Sequence, residues 1–322
     1  MTDPKTPDAV PVCPLHGAEP LRPIFEAEDR FWGVPGRFTY ARCSVCGTWV
    51  LSPRPTPDEM GPYYAGYYTG PHLEQGRKDA GKGVDDFRAK SVVQALAALG
   101  RPLKSGRVLD VGCGLAGFLA RLKHRAGVQV RGVDFNARCR EFAAESYGIE
   151  VDTGELAEQQ YPDGAFDGVT SWHCLEHTYD PAAELAEMAR ITAPGGWLVI
   201  EVPTVSPLGA LFKGRWLFLQ PPTHLYHFTP KTLTSLVEGA GLKPLKLSRP
   251  WSPTEFAGSV LMTLGVRRFM PGVVFGKGWG ARLWALLMFA LMPLDLLITG
   301  GLALAGRGGV LRVVAEKPKA EG

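Results

Sequence analysis

Apolar and polar positions fall into blocks along the chain, and the period of the pattern changes from block to block. From Val84 to Leu99 the residues Phe87, Val92, Ala95, Leu96 and Leu99 recur at helical spacing. Arg107–Val111 is a short apolar run that ends in a glycine-rich turn, with a helix expected from about Gly117. A second strand, Gln129–Val133, ends in Asp134. Asp180-Pro181 and Thr229-Pro230 each offer an N-cap followed by a proline at the first helical position. The helix after Pro230 carries Leu233, Leu236 and Val237 and stops near Gly239 and Gly241. Lys243–Leu247 and Gly309–Lys317 read as two further strands. Strands alternating with helices predict an α/β fold built on a mainly parallel sheet.

The longest apolar run lies just before the last strand. From Leu283 to Gly306 only Asp295 is charged, and the length matches one bilayer span of ~20 residues. Two strands that a turn of a few residues could join are thereby separated by the insertion 249–308. A single membrane crossing would carry the last strand away from its sheet. Pro293 and Asp295 are expected to break the run into two halves, and Arg267 and Arg268 interrupt the apolar segment Phe256–Phe275. Burying those arginines in lipid would cost roughly 2.5–3.5 kcal/mol each. The preferred arrangement is an apolar helical hairpin that dips into one leaflet or caps a greasy substrate channel. Arg267, Arg268, Lys277, Arg282, Arg307 and Arg312 would rim it. A helix pair buried within the chain or in a homodimer is the second arrangement, and a spanning segment the third.

The 322 residues are 45% hydrophobic and 21% charged, as in a folded globular protein, with a net charge of +3 and no Lys/Arg stripe. Nucleic acid is therefore not expected as a partner. The stretch MTDPKTPDAVPV lacks the apolar core of a secretory signal. A cytoplasmic setting is expected, peripheral at the inner face of the membrane where the insertion meets lipid, and the thiols should stay reduced. Six cysteines then need a reason other than disulfides. Cys13-Pro-Leu-His16-Gly17 and Cys43-Ser-Val-Cys46-Gly47 place ligand-type residues three apart, each pair followed by glycine. Such turns can aim four side chains at one structural Zn2+, in a ribbon-like module over 1–60. The alternative is ordinary buried thiols and a surface histidine. Tyr63, Tyr64, Tyr67 and Tyr68 follow, either as packing or as cleft lining, and 61–83 reads as a polar, glycine-rich linker or lid. Cys113, Cys139 and Cys174 lack metal spacing and read as small apolar residues.

The chemistry centres on Asp110-Val-Gly112-Cys-Gly114-Leu-Ala-Gly117. Glycines let the backbone approach a ligand and turn sharply into a helix. An acid closing the second strand, Asp134, can take both hydroxyls of a ribose, so an adenosine-type cofactor is expected. Further on come Trp172-His173-Cys-Leu-Glu176-His177-Thr-Tyr-Asp180-Pro181, Pro194-Gly195-Gly196 and His224-Leu-Tyr-His227. With these, the chain resembles class I S-adenosylmethionine-dependent methyltransferases, and among them the bacterial branch with an LEH-x-x-DP element. Several members of that branch carry a small zinc module in front, as the deoxysugar C-methyltransferases do. The resemblance covers roughly Cys13 to Leu247 and the last strand.

The resemblance implies a Rossmann-like seven-stranded methyltransferase sheet over 84–248 and 309–322, preceded by the zinc module and interrupted by the apolar helical insertion. It implies that Asp110, Gly112 and Gly114 cradle the methionine part of the cofactor and that Asp134 holds the ribose. Glu155 and Leu156 would meet the adenine, and Trp172 would stand at the pocket rim. Methyl transfer from a sulfonium needs alignment, and a hydroxyl acceptor must also lose a proton. Histidine suits that task, and the candidates are His173, His177, His224 and His227. The expected reaction is methylation of a small molecule such as a sugar, a lipid-linked compound or an apolar metabolite hydroxyl. Methylation of ribosomal RNA and a non-catalytic zinc-bearing binding role are the alternatives.

Overall fold

The computed structural model describes residues 12–15, 17, 21–79 and 82–319, so His16, one of the four expected zinc ligands, lies outside the described residues. In chain order the strands and helices are β1 (Leu21–Ala27), β2 (Phe38–Cys43), β3 (Trp49–Leu51), α1 (Gly61–Tyr64), α2 (Gly70–Asp79), α3 (Val84–Ala98), β4 (Arg107–Val111), α4 (Gly117–Ala126), β5 (Gln129–Asp134), α5 (Ala137–Tyr147), β6 (Val151–Thr153), β7 (Phe166–Trp172), α6 (Pro181–Ile191) and β8 (Thr192–Pro203). They continue with α7 (Pro207–Phe212), β9 (Tyr226–His227), α8 (Pro230–Gly239), β10 (Lys243–Ser248), α9 (Glu255–Thr263), α10 (Trp279–Leu304) and β11 (Val310–Glu316). They form two compact units assembled from interleaved segments rather than consecutive blocks. One gathers the chain up to Tyr67 with Val202–Thr232 and Ser248–Leu311; the other gathers Tyr68–Glu201, Leu233–Leu247 and the chain from Arg312.

The unit that begins at Tyr68 is organised by a seven-stranded sheet of order β10-β11-β8-β7-β4-β5-β6. β5, β4, β7 and β8 run parallel, and β6 pairs parallel to β5. The start of β8 meets the end of β11, with Gly195 N–H donating to the Lys317 carbonyl (2.8 Å) and Lys317 N–H to Gly196 (3.0 Å), so β11 runs opposite to β8. This is the Rossmann-like seven-stranded sheet expected from the sequence. Local signals explain the helices that cover it. Asn136 accepts from the Arg138 N–H and starts α5, while Asp180 accepts from the N–H groups of Ala182 and Ala183 with Pro181 next to it. α4 stops at Gly127, which is left-handed and donates to the Lys123 carbonyl. Val92, Leu96, Val108, Leu119, Leu122 and Val199 close the core between α3, α4 and the sheet. The stretch 70–83, expected as a flexible lid or linker, contains α2 instead. A Cβ on Gly76 would lie 2.5 Å from Leu115, so α2 packs directly against the turn after β4.

The other unit is organised by a four-stranded antiparallel sheet, β1-β2-β3-β9. Tyr40 is fully buried, and its hydroxyl donates to the carbonyls of Leu219 (3.1 Å) and His224 (2.8 Å). Two of the four clustered tyrosines pack in this unit: Tyr63 meets Phe38 edge-on and Tyr67 lies against Trp32. The apolar insertion belongs to this unit. It is not two comparable halves, because α10 runs unbroken for 26 residues through Pro293. Proline removes one ladder hydrogen bond at a cost of ~3 kcal/mol, and tertiary contacts offset it. Asp295 is fully buried and does not break the helix; its carboxylate accepts from the N–H groups of Thr254 (2.8 Å) and Ala257 (2.9 Å) and caps α9. Thr299, one turn on, donates to the Asp295 carbonyl and accepts from the Trp251 indole. Leu261, Met262, Val266 and Phe269 form a core that Trp284, Leu287 and Leu291 of α10 complete.

Both ends of the insertion are tied to this same unit. Phe269 and Met270 donate to the Arg30 and Phe31 carbonyls (2.9 Å each) ahead of α10. Behind it, Arg249 donates to the Gly308 carbonyl (2.8 Å) and Thr204 N–H to that of Gly309 (2.9 Å). Replacing Asp295 by alanine leaves the buried Ala257 amide and the half-buried Thr254 amide without this acceptor and is expected to lower the unfolding free energy by about 2–4 kcal/mol. Urea denaturation measures this, and an unchanged midpoint at an unchanged slope would remove Asp295 from its place as the α9 cap.

Candidate active site

The turn after β4 is built by close approach and by one carboxylate. Gly112 is left-handed (φ 71°), and a Cβ there would lie 2.6 Å from the Cys174 sulfur. Gly114 is left-handed too (φ 52°), and a Cβ there would lie 3.1 Å from the Tyr68 hydroxyl. No larger residue fits these positions without displacing its neighbours. Gly112 and Cys113 donate to the Val133 carbonyl, and the Gly114 N–H donates to the Asp134 carboxylate (2.9 Å), which also accepts from Asn136 (3.0 Å). The Asp134 carbonyl accepts from Gly154 (3.1 Å). One buried residue therefore joins the carboxyl ends of β4, β5 and β6, the end of an open α/β sheet where ligands bind. Glu155 and buried Leu156 open the short 3-10 turn that follows β6. Burial, then Glu158, raises the pKa of Glu155.

Asp110 is buried in β4, and the Thr170 hydroxyl donates to it at 2.6 Å. Burial pushes its pKa up to about 8, against the hydrogen bond from Thr170. At the end of β7, Ser171 Oγ and the Trp172 indole N–H are buried without a partner among the described residues. A cradle of glycines that excludes side chains, a carboxylate at the second strand end and unpartnered polar atoms beside them suit a nucleoside-bearing cofactor. A surface cavity of about 460 Å3 lined by Arg107, Gln129, Tyr161 and Phe166 sits at the amino ends of β4, β5 and β7 instead, away from this crevice.

His173 follows β7 in a left-handed conformation (φ 52°), and its N–H donates to the Glu201 carbonyl (2.8 Å). Its ring lies between two carboxylates, with Nδ1 3.4 Å from Glu176 and Nε2 3.2 Å from Glu201. Burial works against a charged ring, but Glu176 and Glu201 outweigh it and raise the pKa. Glu201 closes the circuit. Arg312 of β11 (2.5 Å) and Arg88 of α3 (3.3 Å) both reach its carboxylate, and both guanidinium groups lie about 5 Å from the centre of the Trp172 ring. Burial would raise the Glu201 pKa, yet His173, Arg312 and Arg88 hold it well below the usual carboxylate range. Reading the sequence for histidines missed Glu201 and Arg88, and Arg312, expected on the rim of the apolar hairpin, is instead buried in β11 against Glu201. The available signals were an acid closing the apolar run Trp197-Leu-Val-Ile-Glu201 and an arginine inside the otherwise apolar Val310-Leu-Arg312-Val-Val.

The other histidines divide by unit. His177 ends the 3-10 turn Leu175–His177, half-buried, in the same unit as His173. His224 and His227 belong to the other unit, and both are buried with a ring nitrogen at hydrogen-bond distance (2.8 and 3.0 Å) from one acceptor, the Phe218 carbonyl. His227 is strand residue of β9, paired with Trp49 and set against Tyr40 and Trp216.

The cysteine knuckles of that unit close in the same way. Gly17 (φ 66°) donates to the Cys13 carbonyl at 2.8 Å, and Gly47 (φ 74°) to that of Cys43 at 3.0 Å. The Cys46 N–H faces the Cys43 sulfur at 3.5 Å. The sulfurs of Cys13, Cys43 and Cys46 lie within 4.8 Å of one another, close enough to share one ion.

A family model described as a methyltransferase domain matches residues 84–247, over half of the chain. The chain belongs to the S-adenosylmethionine-dependent methyltransferases. A ubiquinone biosynthesis O-methyltransferase from Dinoroseobacter shibae is 34% identical over 190 residues, half of this chain and 75% of that protein. Ajmaline N-methyltransferase from Rauvolfia serpentina is 35% identical over 104 residues, 30% of this chain, and the match spans only 36% of that methyltransferase. Norajmaline N-methyltransferase from the same plant is matched over 51% of its length. Among solved structures, phosphoethanolamine N-methyltransferase 2 of Haemonchus contortus bound to S-adenosyl-L-methionine has a TM-score of 0.54 at 16% identity, over 92% of this chain and 71% of that one. The cyclase SpnF has a TM-score of 0.52 at 19% identity, over 83% and 98% of the two chains. At such identities the likeness speaks for the fold alone.

The paired carboxylates around His173 give this methyltransferase a pH signature. A histidine whose pKa is raised by folding contributes stability that is complete below its unfolded value of about 6.5 and is lost as pH rises through the raised value. Thermal unfolding from acid to mildly alkaline pH is expected to show this loss, and His173→Gln is expected to flatten it. A variant with the same slope as the parent would show that other groups carry it.

Proposed function

We propose that the protein transfers the methyl group of S-adenosylmethionine to an oxygen of a small-molecule acceptor, of the sugar, lipid-linked or apolar hydroxyl class. The observation that carries the cofactor assignment is the Asp134 carboxylate, buried, holding the Gly114 amide at 2.9 Å and lying where the β4, β5 and β6 ends converge. The acceptor class is supported by the ubiquinone biosynthesis O-methyltransferase that is 34% identical over half of this chain.

When bound, the cofactor supplies a methyl group already activated by its sulfonium charge. Everything else falls to this chain. Asp110, Gly112 and Gly114 hold the methionine portion and Asp134 the ribose hydroxyls. Leu156 and Glu155 border the adenine, and Trp172 closes the rim. Alignment of nucleophile and methyl can be worth up to ~7–11 kcal/mol, and a scaffold of backbone amides fixed by one carboxylate suits that task. His177 is the histidine we assign to take the acceptor proton. His173 is engaged by two carboxylates that raise its pKa, which serves positioning rather than proton removal. His224 and His227 each place one ring nitrogen on the Phe218 carbonyl, a contact within the other unit.

Cys13, Cys43 and Cys46 would hold a structural Zn2+, with His16 as the fourth ligand by its spacing. A closed site of four protein ligands stabilises the fold and takes no part in chemistry. Metal analysis of the purified protein is expected to give one zinc per chain, and Cys46→Ser or chelation to lower the melting temperature. A metal-free protein that melts at the same temperature with and without chelator would remove the zinc.

Asp134→Asn keeps the size of the side chain and removes its charge. Charge-assisted hydrogen bonds contribute ~1.5–3 kcal/mol, so S-adenosylmethionine affinity measured by calorimetry should fall by about 10- to 100-fold. Unchanged affinity would place the cofactor elsewhere, and no affinity in the unaltered protein would sink the methyl-transfer reading.

A further inference from the structure

The helix α10 is held on one side and bare on the other. Its contact side carries Trp284, Leu287, Leu291, Asp295 and Thr299. Its outer side presents Trp279, Leu283, Leu286, Phe289, Leu297 and Leu304, at spacings of three, four and seven or eight residues that keep them on one stripe. Exposure reaches 78% at Phe289 and 93% at Leu304. Of a candidate 18-residue span, only 11% is buried. An apolar face this long is uncommon on a surface meant only for water.

Charge says what covers it. The single acid in α10 is Asp295, which faces inward. Exposed cations stand at both ends of the stripe: Lys277 before it, Arg282 in its first turn between Trp279 and Leu283, and Arg307 after it. A second copy of the chain fits this pattern poorly. Two α10 helices packed antiparallel would set Lys277 and Arg282 against the partner copy's Arg307, and packed parallel would set each cation against its own counterpart. Spanning is blocked as well, since the residues on either side of the helix, Phe269–Met270 and Gly308–Gly309, are hydrogen-bonded to the same unit.

We propose that α10 lies in the plane of a membrane surface, with its outer stripe in the headgroup–acyl boundary and Lys277, Arg282 and Arg307 on anionic lipid headgroups. An apolar face flanked by cations is how interfacial helices bind, and the exposed Trp279 belongs at the headgroup level. At roughly 39 Å the helix gives a long line of contact. The proposal rests on α10 and stands apart from the cofactor assignment.

Co-sedimentation of the full chain with phosphatidylcholine vesicles, with and without phosphatidylglycerol, tests it. Binding to the anionic vesicles is expected to exceed that to neutral ones at least about tenfold and to weaken with salt. Leu286→Glu with Phe289→Glu should reduce binding to background, and Arg282→Ala with Arg307→Ala should erase the anionic preference. Both pairs lie outside the methyltransferase unit, so cofactor affinity is expected to stay unchanged. Equal binding of parent and Leu286→Glu/Phe289→Glu protein would overturn the proposal. So would a dimer that this pair dissociates while neither protein binds vesicles, and so would equal binding of the parent to neutral and anionic vesicles.

Discussion

The structure depends on one topological demand: β11 must enter the sheet between β8 and β10. A strand with neighbours on both sides cannot be left out without exposing two edges. Everything between β10 and β11 has therefore to leave the sheet and come back to it. That demand turns an apolar run of membrane-spanning length into a helix lying along the surface of its own unit. It also brings Arg312 to Glu201, so the strand that satisfies the backbone ladder also delivers a charge to the end of the sheet.

Two carboxylates organise the methyltransferase unit in different ways. Asp134 works on backbone amides and fixes the shape of a turn. Glu201 works on side chains and gathers His173, Arg88 and Arg312 around one buried negative charge. A buried ion cluster contributes little net stability, because desolvation offsets attraction, yet removing one member leaves a charge stranded. Its value lies in orientation. His173 holds a left-handed backbone that few residues adopt, and with both ring nitrogens on carboxylates it has little room to turn.

Much of the sheet unit was legible in the sequence because its signals are local. Glycine spacing, an acid at a strand end and Asp-Pro helix starts each report on a few neighbouring residues, and the β4 turn and the α6 start follow from them. The cysteine knuckles are legible for the same reason. The misses are non-local. Asp295 reads as a helix breaker in a window of neighbours, and only the amides of Thr254 and Ala257, some forty residues away, make it a cap. The polar stretch after Gly70 reads as a linker until Leu115 is found against Gly76. The Phe218 carbonyl that His224 and His227 share is likewise visible only in three dimensions.

The position of Arg312 in the chain has a consequence for how the fold forms. Glu201 and Arg88 precede it in the chain by more than a hundred residues, and the whole apolar insertion separates β10 from β11. During synthesis the parallel strands β4, β5, β7 and β8 can pair, but the edge of β8 stays open until Val310–Glu316 has been made. The greasiest segment of the protein is thus exposed to the cell while the sheet it interrupts is still unfinished. The lipid contact proposed for α10, made early, would shelter that segment while the sheet is completed.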